Sequence, residues 1–169
     1  ASSDEAEGTV DQASLTFTAS DWNTPQIITI VGVDDDFDEA DRTPFSVLLA
    51  PATSPDDVYS GLDPTDVSVV NFDDDGLGVS LTPTTGLQTT ESGGTALFSI
   101  ELGSQPTADV LITLTSDDPS EGTVPPSVTF TPIDWATPQT VTITGQPDDF
   151  DDGDIDYLIQ TAAVASADL

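Results

Sequence analysis

A 27-residue stretch occurs twice in this chain, so any fold must accommodate both copies. Leu15 to Asp41 aligns without gaps on Val128 to Asp154, an offset of 113 residues (128 − 15), and 16 of the 27 positions are identical. The shared core reads Thr-Phe-Thr at 16–18 and 129–131, then Asp-Trp-x-Thr-Pro-Gln at 21–26 and 134–139. Upstream, Glu7-Gly8-Thr9-Val10 matches Glu121-Gly122-Thr123-Val124. Repetition at a fixed period marks a repeated structural unit. The boundaries that follow are residues 1–75, the later part of one unit, and 76–169, the early and middle part of the next. Each copy displays segments that the other lacks. Either the chain is a window on a tandem array, or like subunits complete one another head to tail.

Merging the two copies gives a run of short strand-like segments. Val79 to Thr82, Ala96 to Leu102 and Val110 to Thr115 alternate apolar and polar residues, the period of a half-buried strand. Val128 to Thr131, Gln139 to Thr144, Phe45 to Leu49 and Val67 to Phe72 complete about seven such segments. Gly93-Gly94, Gln105-Pro106, Pro125-Pro126 and Asp63-Pro64 supply turns between them. No helical period is sustained. The expectation is all-β: tandem immunoglobulin-like antiparallel β-sandwiches. Trp22 and Trp135, in the repeated turn, are expected to cap the sandwich with their indoles.

Charge is the other constraint. Thirty-two acids face a single base, Arg42, for a formal net charge of −31, while 36% of residues are apolar, enough to bury a core. Such an excess repels itself unless cations sit among the carboxylates. The acids are concentrated: six of the eight residues from Asp34 to Asp41, and five of the seven from Asp148 to Asp154. Asp73, Asp74 and Asp75 form a triplet at the close of the first unit. Strands that alternate direction gather the loops after the first, third, fifth and seventh strands at one pole. That topology brings Glu91, Asp118, Asp149 and an Asp triplet together, with Asp117 and Glu121 nearby and Asp4 and Glu7 as first-copy counterparts. Oxygen-only sets of this kind suit calcium, which takes six to eight oxygens.

This pattern resembles the Calx-β domain family, whose members are β-sandwiches that bind calcium at one pole. The resemblance implies the ligands Glu91, Asp118 (Asp4 in the first copy), Asp148, Asp149 and Asp151 (Asp34, Asp35 and Asp38), and Asp73 to Asp75. Asp36, Glu7 and Glu121 belong to the same acidic loops. Pro147 stands where the first copy has Asp34, which implies fewer ions in the second copy.

The same composition excludes several function classes. Without a basic patch, nucleic acid has nothing to bind. Cysteine, histidine and lysine are absent, removing disulfides, imidazole zinc sites and Schiff-base chemistry. No apolar run approaches the ~20 residues that span a bilayer. The loop acids show no sign of a substrate cleft, and no enzymatic activity is expected. The expected function is a calcium-stiffened structural repeat of an extracellular bacterial adhesin or surface filament. Its partners would be neighbouring repeats or like subunits. The alternative is a calcium-dependent carbohydrate- or protein-binding module attached to a secreted enzyme.

Overall fold

The structure is a computed structural model that describes the chain apart from residues 40, 41, 148, 150–152, 168 and 169. Among the described residues it consists of strands and turns with no helix. None is therefore long and apolar enough to cross a membrane. The chain divides into two compact units, Ala1–Asp35 with Glu39–Asp74, and Asp36–Asp38 with Asp75–Leu169.

The second unit holds most of the strands. One sheet runs β5 (Val79–Thr82), β6 (Thr95–Leu102), β10 (Gln139–Gly145) and β8 (Gly122–Thr123). The other is built around β7 (Val110–Ser116), which pairs with β9 (Ser127–Phe130), β11 (Ile159–Thr161) and β12 (Ala165–Ser166). Every pairing is antiparallel. Alternate residues turn inward: Ala96, Phe98 and Ile100 on β6, Val141 and Ile143 on β10, Val110, Ile112 and Leu114 on β7, and Phe130 on β9. These nine form one core between the sheets, an arrangement consistent with a β-sandwich. Each fully buried aliphatic or phenyl side chain contributes about 1.5–3 kcal/mol through removal from water.

The first unit contains two hairpin-like pairs. β1 (Gly8–Val10) pairs with β2 (Ile30–Gly32), and β3 (Thr43–Val47) pairs with β4 (Val67–Asn71). Phe45 and Val47, each 4% exposed, are its buried apolar side chains.

The repeated letters make repeated bonds. Gly8 faces Gly32 across β1–β2, and Gly122 faces Gly145 across β8–β10. Val33 N donates to Glu7 O at 3.1 Å, and Gln146 N donates to Glu121 O at 2.9 Å. A Cβ at Gly8 would collide with the Phe45 ring, and one at Gly122 with the Tyr157 ring, so both positions need glycine for close approach. Asp21 Oδ1 accepts from Thr18 N at 2.5 Å, and Asp134 Oδ1 accepts from Thr131 N at 2.6 Å. The Gln26 amide donates to Thr16 O at 2.8 Å, and that of Gln139 to Thr129 O at 2.7 Å. The expected indole cap is corrected at one copy: Trp135 is half-buried, but Trp22 is 69% exposed.

Candidate metal centre

The acids of the first unit are positioned by its two strand pairs. β1 is entered through Glu7, β2 leads out through Val33 to Asp34 and Asp35, and β4 ends at Asn71, just before Phe72 and the aspartate triplet. The three chain segments are pinned together by one amide. Asn71 Nδ2 donates to Val33 O at 2.8 Å and to Glu7 Oε2 at 3.4 Å. Glu7 is 8% exposed, and buried polar groups of this kind are held by hydrogen bonds.

Around this knot lies a cavity of about 20 Å3, bordered by Glu7, Asp34, Asp35, Glu39, Asp73 and Asp74. Room of this order suits a water-sized particle. One carboxylate oxygen each from Asp34, Asp74 and the next residue in the chain, Asp75, lie within 4.8 Å of one another. Glu39 N donates to Asp73 Oδ2 at 2.9 Å, which holds the acidic loop against the triplet. Desolvation, followed by the charges of Glu7 and Asp35, pushes the Glu39 carboxyl above its ordinary range even though much of the side chain is exposed. A hydrogen bond with Glu7 acts the same way, because only a protonated carboxyl can donate it. The chain's single guanidinium, Arg42, stacks over the Phe72 ring at 5.4 Å.

These residues fit a hard divalent cation. The side-chain donors are oxygens apart from the Asn71 amide nitrogen, the carboxylates crowd one another, and the space between them is small. Asp34, Asp74 and Asp75 are the residues that would hold an ion.

The other predicted positions are distributed as follows. Glu7, Asp35 and Asp73 line the same cavity. Asp36 and Asp38 do not line it and group with the second unit. Asp4 Oδ1 caps its own turn by accepting from Ala6 N at 3.1 Å. Its counterpart Asp118 accepts from Ser120 N at 3.1 Å and from the Ser120 hydroxyl, and these bonds lower its carboxyl below the usual range. In the second unit, backbone hydrogen bonds connect some of these loops. Gly145 N donates to Gly94 O at 3.0 Å, Gln146 N to Glu121 O at 2.9 Å, and Gly122 N to Asp118 O at 3.1 Å. Glu91 and Glu121 there border a larger groove. Asp149 is exposed, and Asp148 and Asp151 lie outside the described residues. Among the described residues the close three-acid group is Asp34, Asp74 and Asp75.

Sequence reasoning missed Asn71 and left Glu39 out of the ligand set. Asn71 was legible only as the residue before Phe-Asp-Asp-Asp, and Glu39 only as one acid among many.

Comparison with protein-family models, with curated proteins and with solved structures finds no match.

Proposed function

We propose that the chain is a calcium-binding structural module. The observation that carries this reading is the meeting of Asp34, Asp74 and Asp75 oxygens within 4.8 Å, beside the buried Glu7 and the small cavity it borders. A bound calcium ion supplies the positive charge that lets these carboxylates share one space. Its binding free energy then becomes folding free energy. Asp74 and Asp75 run directly into Gly76-Leu77-Gly78, so binding would also restrain the backbone that follows them. The resemblance to Calx-β domains and the internal repetition support tandem sandwich modules. The acid-rich composition supports an extracellular adhesin or surface filament, where calcium is plentiful and weak sites fill.

The test is calorimetry of the full chain, titrated with calcium after chelation, together with melting curves in both states. Calcium at about 100 times its Kd contributes about 2.7 kcal/mol. For a chain of this size that is a rise in Tm of roughly 5–10 °C. Identical melts with calcium and with chelator would remove this reading.

A second reading has one observation in its favour. The 69% exposed Trp22 presents a flat apolar ring of the kind that stacks on sugars or protein partners. A calcium-dependent recognition module would lose glycan or protein binding in Trp22→Ala while its melting temperature held.

A further inference from the structure

The second unit contains a groove of about 970 Å3 that no part of the metal centre uses. Leu81 and Leu87 line one side, Tyr157 and Ile159 the other, and the buried core residues Phe98 and Ile143 form its base. The two walls are tied by a 2.7 Å hydrogen bond between the Thr89 and Tyr157 hydroxyls. Among the described residues no backbone ladder joins them.

The first unit shows what belongs there. Its Ser2–Val47 bridge recurs as the Ser116–Ile159 pair. Ser3 N donates to Ser46 O at 2.8 Å, and Asp117 N donates to Leu158 O at 3.0 Å. In return Ser46 N donates to Ser3 Oγ at 2.9 Å, and Leu158 N to Asp117 Oδ1 at 2.7 Å. Phe45 over Gly8 matches Tyr157 over Gly122. Thr43–Val47 therefore corresponds, residue for residue, to 155–159. In the first unit the far edge of this segment carries β4. In the second, β11 ends its sheet among the described residues, and the edge that β4 would cover borders the groove. An open edge beside an apolar trough accepts an added strand.

We propose that this groove takes up the Val67–Asn71 strand of a second copy of the chain, in the position that β4 occupies beside β3. The register follows from β3–β4: Ile159 opposite Val67, Tyr157 opposite Val69, Ile155 opposite Asn71. The donor has apolar surface left to bury, since Val67 is 47% and Phe72 is 67% exposed where they stand. The groove has walls on both sides of the strand, whereas β4 has one partner strand among the described residues.

The test uses the full chain and a synthetic peptide, Asp66–Phe72, which stops before the aspartate triplet so that no cation is needed. This separates its outcome from that of the calcium reading. At about 100 times its Kd the peptide should raise Tm by roughly 5 °C or more, and a scrambled peptide should not. The chain has no cysteine of its own, which permits a register check. Leu158→Cys should form a disulfide with a peptide carrying Ser68→Cys, the residue expected opposite it. It should not do so with one carrying Val69→Cys, which lies on the other face. For the source of the strand, full-length Leu158→Cys and Ser68→Cys chains of different mass are mixed, and a disulfide-linked heterodimer is expected. No thermal shift, equal crosslinking by both peptides, or peptide binding without heterodimer would each overturn the proposal.

Discussion

Glu7 and Asn71 set the character of the acidic cavity, because a buried carboxylate and a two-bond amide clamp fix where the surrounding loop acids stand. Removing a charge from that ring has a directional consequence. Asp34→Asn and Asp74→Asn should each weaken calcium binding at least about tenfold by calorimetry, while Asp11→Asn, outside the ring, should not. Elsewhere the aspartates serve turns. The Thr18 amide and hydroxyl hold Asp21 below the ordinary carboxylate range, and those of Thr131 do the same to Asp134. A folded-state pKa below the unfolded 3.8 means that the stabilisation is present above pH 3.8 and is lost as pH falls through the lowered value. Asp134→Ala should therefore destabilise the chain at about pH 7. The gap from the parent should narrow as pH falls below 3.8, read by urea unfolding at each pH.

At the scale of strands, identical letters meet different fates, which shows what local pattern can and cannot specify. Val79 to Thr82 was legible as a strand because alternation and turn signals agree with the pairing that forms there, and β5 spans those residues. Gln139 to Thr144 extends into a seven-residue strand because β6 lies beside it. Its counterpart in the first copy is a strand only over Ile30–Gly32, and Ile27 is left 80% exposed. Thr16 to Thr18 repeats Thr129 to Thr131, yet β9 forms only in the second copy, where β7 pairs with it. Pairing across the chain overrides propensity. The short strands β1 and β8 escaped notice because Gly-Thr offers no alternation, although the repeated Glu-Gly-Thr-Val was a signal in plain view. The acidic loops were legible as clusters, but which acids would meet depended on side-chain direction, which spacing does not encode. The core between the two sheets gives a direct check. Ile112, 1% exposed on β7, should cost about 2–5 kcal/mol as Ile112→Ala, measured by urea denaturation.

Over the whole molecule, a formal charge of −31 makes the fold sensitive to ions of any kind. In chelator, raising sodium chloride from about 0.01 M to 1 M shortens the screening length from about 30 Å to 3 Å. Tm should rise with it, and calcium at millimolar levels should exceed what equal ionic strength of sodium provides. A melt that depends on ionic strength alone would place the effect in general screening and not in a site. The distribution of that charge matters as much as its size. Among the described residues, Glu101 is the only acid that a strand contains, and every other described acid lies in a connection. Mutation can therefore exchange carboxylates in the connections without replacing a residue of any ladder pair. In a lineage built on this plan, ionic character would be free to drift between relatives while the hydrogen-bonded scaffold stayed fixed.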